Sequence, residues 1–237
     1  MANFPCLVAC AVSAICFGIG SGSAQNCASL PKAIATVPCN ASELRPTQPS
    51  VGLAEVQDRK AKLSGKSKKH QVEYFDKRRP VVVKGPNNGF YVVDHHHLVR
   101  MAMDMKVEKL SCDIVGDLSR LGEEQFWSTL NDKCWAYLKD EKGGEISYKT
   151  LPKSVAELKD DPYRSLAWRV LRDDGYCKSS TPFAEFKWAL FFRQKGVNPE
   201  DEKAALAEAK TCGATATGAL PGCKSQPGEA CGPDKDD

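Results

Sequence analysis

Phe90-Tyr91-Val92-Val93-Asp94-His95-His96-His97-Leu98-Val99-Arg100-Met101-Ala102-Met103 is the stretch on which the reading of this chain turns. Its first four residues form an unbroken apolar and aromatic run with the length and composition of a short buried strand. From Leu98 onward, the spacing of Leu98, Met101, Ala102 and Met105 is that of an amphipathic helix. It predicts a helix from His95 to about Met105, with Asp94 as its N-cap. Three of the chain's four histidines therefore fall at one strand-to-helix junction. The first turn of a helix carries unpaired backbone N–H groups and the positive end of the helix dipole, which together attract a phosphate or a carboxylate.

Working outward, Pro80-Val81-Val82-Val83-Lys84 and Phe90 to Val93 flank the turn residues Gly85-Pro86-Asn87-Asn88-Gly89, so the junction is delivered by a hairpin. Lys109 to Val115 reads as a third strand, which makes the middle of the chain mixed α and β. Further on, Gly122 to Leu130 and Cys134 to Leu138 have helical spacing, with Phe126, Trp127, Leu130, Trp135 and Leu138 on an apolar face. Leu158 to Arg172 reads as a helix capped by Asp160 or Asp161, with Pro162 near its first position. Thr181-Pro182 opens another helix that runs to Arg193 or Lys195 and buries Phe183, Phe186, Leu190 and Phe191. Residues 199–210 add a charged, Ala-rich helix. Upstream, Val51 to Leu63 reads as a surface helix, broken by Ser64-Gly65-Lys66-Ser67. The expected layout is a leader at 1–24, an extended Cys-containing arm at 25–45 pinned by a local bridge and lying outside the core, one compact domain at 46–198, and a helix with a flexible Cys-rich tail at 199–237.

The leader rests on Cys6 to Ile19, almost entirely apolar or small, followed by Gly22-Ser23-Ala24. The run is shorter than the roughly 20 residues a membrane span requires, so an exported, soluble protein is expected. Of eleven cysteines, the leader takes Cys6, Cys10 and Cys16 and leaves Cys27, Cys39, Cys112, Cys134, Cys177, Cys212, Cys223 and Cys231. An even set in an exported chain points to disulfides, with the pairing left open. None of the eight stands in a CxxC pair or close to a histidine, as zinc sites require. Asn40-Ala41-Ser42 is a glycosylation sequon, meaningful in a eukaryotic secretory pathway. The net charge of +3 is small, but Arg59 to Lys84 holds ten Lys or Arg against Glu73 and Asp76 alone. Such a run is either a face for nucleic acid or the solvated side of a helix and its following loop.

Four motifs in order, DHHHLVRMAM at Asp94–Met103, EQFWSTL at Glu124–Leu130, DDPYRSLAWRV at Asp160–Val170 and PFAEFKWALFFR at Pro182–Arg193, resemble the ParB-like nuclease family, a branch of the ParB and sulfiredoxin superfamily. The resemblance spans roughly residues 45 to 195. It implies an α+β fold: a small mixed ParB/sulfiredoxin-like sheet with a strand-to-helix phosphate site, followed by a helical C-terminal half. It also implies nuclease activity. Where the superfamily keeps a Gly-x-Arg-Arg or Gly-Cys-His-Arg type motif, this chain has Asp94-His95-His96-His97. The missing cysteine disfavours sulfinic-acid reduction. The missing arginine pair, and the lack of a helix-turn-helix after the motif, disfavour chromosome partitioning.

Phosphodiester hydrolysis needs an activated water, charge stabilisation and help for the leaving oxygen. Asp94, His96, His97 and Glu185 are the candidate catalytic residues, and His95, Arg100 and Arg164 the candidate phosphate ligands. Asp94 with His96 is the candidate pair for a divalent metal ion. Neighbouring helix positions point about 100° apart, so at most two of the three imidazoles converge. The plainer account makes Asp94 a cap, with one histidine packed and another solvated. Arg164, a cation in a helix's first turn, gains more from facing a phosphate or a structural carboxylate than from the dipole. The expected activity is hydrolysis of nucleic-acid or nucleotide phosphodiesters. A non-catalytic module for nucleotides or phosphorylated ligands, and a kinase-like phosphoryl transfer, are the alternatives.

Overall fold

The computed structural model describes Cys27, residues 29–214, residues 219–224 and Cys231. The expected leader and much of the expected tail lie outside these residues. The fold is α+β. Strands β1 (Ala35–Asn40), β2 (Arg45–Pro46), β4 (Val81–Lys84), β5 (Phe90–Asp94) and β6 (Lys109–Asp117) form a mixed sheet in the order β1-β6-β4-β5-β2, and β3 (Ser50–Val51) pairs with β7 (Lys159–Asp160). Helices α1 (Leu53–Ser64), α2 (Lys68–Lys77), α3 (His96–Asp104) and α4 (Glu123–Asp132) accompany the sheet, while α5 (Pro162–Arg172), α6 (Ala184–Gln194) and α7 (Glu202–Ala209) make the C-terminal half helical.

The β4–β5 hairpin forms as its sequence demands, antiparallel from Lys84 opposite Phe90 to Val81 opposite Asp94. Asn87 and Asn88 take the left-handed backbone of its turn, a conformation asparagine tolerates better than most residues. Gly85 has no room for a side chain, since a Cβ there would meet the Tyr91 and Phe126 rings at 2.6–2.8 Å. The period of two divides these strands between two cores. Val82 and Val92 face Val56, Leu63, Leu98, Val99 and Met101 from α1 and α3, whereas Val83, Tyr91 and Val93 face Phe126, Trp127 and Leu130 of α4. A third cluster, with Leu166, Val170, Tyr176, Trp188, Phe192 and Ala205, holds the C-terminal helices together. The buried apolar residues thus fall into three clusters.

Several expectations are revised. The supposed arm contributes β1, the sheet's edge strand, antiparallel to β6, and its cysteines join distant partners rather than each other: Cys39 with Cys112 and Cys27 with Cys134. The other bridges are Cys177–Cys231 and Cys212–Cys223. α1 is no mere surface helix, because Glu55, Val56 and Leu63 are buried. The basic run contains a helix, α2, capped by the Ser67 hydroxyl. Cys134 to Leu138 is not helical: Cys134 takes a left-handed backbone that ends α4, and Tyr137 N–H donates to Thr47 C=O at 2.9 Å. No helix among the described residues is long and apolar enough to cross a membrane.

Candidate active site

Five segments meet at one place: the loop after β2, the start of α1, the β5–α3 junction and the first turns of α5 and α6. α3 does not begin as the sequence implied. Asp94 ends β5, and His95, with φ +66°, is the N-cap, so Asp94 Oδ1 accepts only the adjacent His95 N–H at 2.7 Å. The left-handed residue turns the three rings apart. His95 holds Arg79 C=O through Nδ1 at 2.7 Å and stays half-buried. His96 is buried beneath the helix, where its Nε2 accepts the Thr47 N–H at 3.1 Å. Burial, reinforced by Arg164 and the neighbouring histidines, pushes its pKa well below the usual histidine range, so this imidazole is neutral and carries its proton on Nδ1. His97 points the other way, toward α1.

There its Nε2 lies 3.5 Å from Glu55 Oε1. Glu55 is buried and also accepts Arg59 Nε–H at 2.9 Å. Burial, helped by the charge of Glu185, raises the Glu55 carboxyl to about 7 against an ordinary value of 4.5. Burial likewise lowers His97 to about 3, although Glu185 pulls it the other way. For Glu185, burial works to raise the pKa, but Arg164 and His97 outweigh it and the carboxyl is held below its ordinary value. The Arg164 guanidinium donates to Glu185 Oε2 at 2.8 Å and to Ser50 C=O at 2.8 Å, and lies over the Phe186 ring at 3.9 Å. Near neutral pH Glu55 is therefore divided between its protonated and ionised forms, Glu185 is ionised and His97 is a neutral imidazole with a quarter of its side chain exposed.

Of the residues singled out from sequence, His97, Glu185 and Arg164 come together, with His95 alongside at 6.1 Å between ring centroids from His97. His96 is turned toward Thr47, and Asp94 Oδ1 toward the His95 N–H. The described residues include no group of three or more His, Cys, Asp or Glu that could hold a metal ion. Arg100 is also committed, to Asp104 at 3.2 Å and Leu158 C=O at 2.6 Å. Arg164 takes the structural-carboxylate option.

Glu55, Arg59 and Thr47 escaped the sequence reading. A carboxylate on an apolar helix stripe with an arginine four residues on signals a buried ion pair, and Glu55 with Arg59 fits that description. The basic run borders the site: Arg59 also approaches the Tyr74 hydroxyl at 3.4 Å, and Arg79 presents its carbonyl to His95.

A family model described as “Putative ParB-like nuclease” matches residues 37–194. Among solved structures, protein Atu1540 from Agrobacterium tumefaciens is similar, with 31% identity and a TM-score of 0.69, covering 81% of this chain and 100% of its own. A conserved hypothetical protein from Pyrococcus furiosus matches 39% of this chain and 35% of its own, with 16% identity and a TM-score of 0.27, too remote to bear on the fold. No curated protein matches.

Proposed function

The chain belongs to the ParB-like nuclease family, and from that premise we propose that it is an exported nuclease hydrolysing phosphodiesters in nucleic acid, with His97 as the proton-transferring base. The observation that carries this is the setting of His97: a neutral, partly exposed imidazole against the buried Glu55 carboxyl, under the field of Glu185. As a water oxygen bonds to phosphorus, His97 takes its proton, and the charge of Glu185 offsets part of the cost of the buried imidazolium that results. The bond from phosphorus to the leaving sugar oxygen breaks, and that oxygen takes a proton from solvent. Arg164 acts indirectly, keeping Glu185 ionised. The basic residues from Arg59 to Lys84 supply the positive surroundings a polyanion needs.

A non-catalytic phosphate cradle fits less well, because Arg59 and Arg164 are already engaged by Glu55 and Glu185. Four disulfides suit an oxidising compartment and support export.

The test is cleavage by the purified, oxidised protein of plasmid DNA, single-stranded DNA, RNA and nucleotides, with divalent ions and with a chelator. Wild type cuts at least one polymer, and His97→Ala loses about 100-fold or more in rate with its fold intact. Retardation without cutting replaces this reading by a binding module, and consumption of a nucleoside triphosphate replaces it by phosphoryl transfer. Loss of cleavage on chelation brings in a metal ion.

A further inference from the structure

The aromatic residues beside Arg164 form a column that ends in a partly exposed ring. Arg164 lies over one face of Phe186 at 3.9 Å. Tyr137 stacks on Phe186 with centroids 3.8 Å apart and planes 22° from parallel. Phe183 leans against Tyr137 at 5.1 Å and 58°. Phe186 is buried, but Tyr137 and Phe183 are not fully covered. Three further features mark this end of the column. Phe183 holds φ +60° at the start of α6, a backbone region unfavourable to a bulky residue. The Tyr137 hydroxyl has no hydrogen-bond partner among the described residues, whereas the buried Tyr176 hydroxyl is bonded to Ala167 C=O. Burial also raises Tyr137 to about 12, so it remains a neutral donor. Finally, the same α6 turn that carries Phe183 carries Glu185, and the Tyr137 backbone is tied to Thr47, the residue that holds His96.

We infer that Tyr137 and Phe183 form a nucleobase subsite, in which a base of the substrate stacks on the free end of the column and the Tyr137 hydroxyl donates to its edge. This rests on the nucleic-acid reading of the site above and names what that reading lacks, since the histidine and carboxylate cluster has nothing with which to grip a base. A planar π-system is the natural continuation of a ring, ring and guanidinium stack, and stacking is tolerant of base identity. The predicted substrate is therefore a single strand or an unpaired end, whose bases are free to leave their own stack.

The experiment compares binding of a fluorescent single-stranded oligonucleotide with that of an abasic sugar-phosphate oligomer of equal length, using oxidised protein at fixed salt. The expected result is about tenfold tighter binding of the base-bearing strand. Tyr137→Phe keeps most of that preference, and Tyr137→Leu, which still fills the space against Phe186, abolishes it. An oligonucleotide carrying 5-iodouracil, irradiated on the wild type, crosslinks to Tyr137 or Phe183, which secures the result even if the leucine variant does not fold. Equal affinity for both oligomers, no binding of either, a preference that survives in folded Tyr137→Leu, or crosslinks elsewhere would each overturn the subsite. Because binding is read without turnover, the two ideas fail separately. A protein that discriminates bases but never cuts loses only the hydrolysis reading, and one that cuts both oligomers equally loses only the subsite.

Discussion

His97 and Glu55 are displaced from their ordinary pKa values in opposite senses by the same burial, and their effects on stability oppose each other. Glu55 is raised from 4.5 to about 7: its contribution is fully present below pH 4.5 and is lost as pH rises through 7. His97 is lowered from 6.5 to about 3: its contribution is present above pH 6.5 and is lost as pH falls through 3. Between pH 4.5 and 6.5 the two slopes cancel, and the wild-type protein is expected to show little change in stability there. Glu55→Gln uncovers the histidine, so stability rises with pH across that window. His97→Asn uncovers the carboxyl, so stability falls. The full change is about 3 kcal/mol for the carboxyl and about 5 kcal/mol for the histidine. Urea denaturation in steps of pH at constant ionic strength measures it, and parallel profiles for the two variants would refute the opposition. His96 separates from its neighbour by a different readout. His96→Ala leaves the buried Thr47 N–H without its acceptor and costs about 1–3 kcal/mol of stability, whereas His97→Ala acts chiefly on cleavage rate. Sequence could identify this triplet but not rank it, because the ranking depends on one left-handed residue, His95, that turns the rings apart. Glu55 was invisible for a related reason. Its partner His97 is supplied by another element, and only packing brings the two together.

At the scale of elements, what sequence revealed and what it hid follow from how far each pattern depends on remote neighbours. The β4–β5 hairpin, α5 and α6 were legible as elements, because their apolar spacing and turn residues are local, while the choice of Asp161 over Asp160 as cap and the full burial of Trp188 and Phe192 in α6 were not. β1 was not. Its burial pattern is mostly exposed, as an edge strand's is, and its identity comes from pairing with β6 across 73 residues of separation at the Cys39–Cys112 bridge. Cys134 to Leu138 has helical spacing of aromatics yet is not helical, since α4 stops before a left-handed Cys134 whose sulfur is drawn to Cys27. α2 was masked by its own charge. Only Gln71 and Phe75 are buried in it, with the Gln71 amide holding Leu63 C=O and Lys66 C=O at 3.3 Å and 3.0 Å. That leaves its lysines to solvent, as a polyanion-facing helix requires. Reversing Lys68 and Lys69 to glutamate should therefore weaken oligonucleotide binding and flatten its salt dependence, the log–log slope falling by about one to two. Hydrolysis of a small, single-charge phosphodiester should be unchanged. An unaltered salt slope would make α2 merely a solvated face.

For the whole molecule, the bridges divide the structure into a sheet half and a helical half that are secured differently. Cys39–Cys112 and Cys27–Cys134 close separations of 73 and 107 residues and tie the N-terminal segment to β6 and to the end of α4. Cys212–Cys223 closes only 11 residues, but it does so against the helical core. Cys212 is buried, and Pro221, within the closed loop, accepts the indole N–H of the fully buried Trp188 at 2.8 Å. Tyr176 stacks on that indole at 4.0 Å. On the chain-entropy account, a loop near 11 residues is worth about 3 kcal/mol and loops of 73 or 107 between about 4 and 5 kcal/mol. Entropy alone therefore makes Cys212–Cys223 the cheapest of these three to lose. Its position reverses the local consequence. Paired replacement of Cys212 and Cys223 by alanine should cost about 3 kcal/mol in denaturant titration, and should also red-shift and quench the emission of Trp188 as the loop lifts from the indole. Paired replacement of Cys39 and Cys112 should cost more in total and leave the Trp188 signal native until global unfolding. Because α6 carries Glu185 in its first turn and Trp188 in the next, a loosened loop should also reduce cleavage in the first variant. A Cys212/Cys223 variant with native Trp188 emission and full activity would show that the helical half needs no such seal.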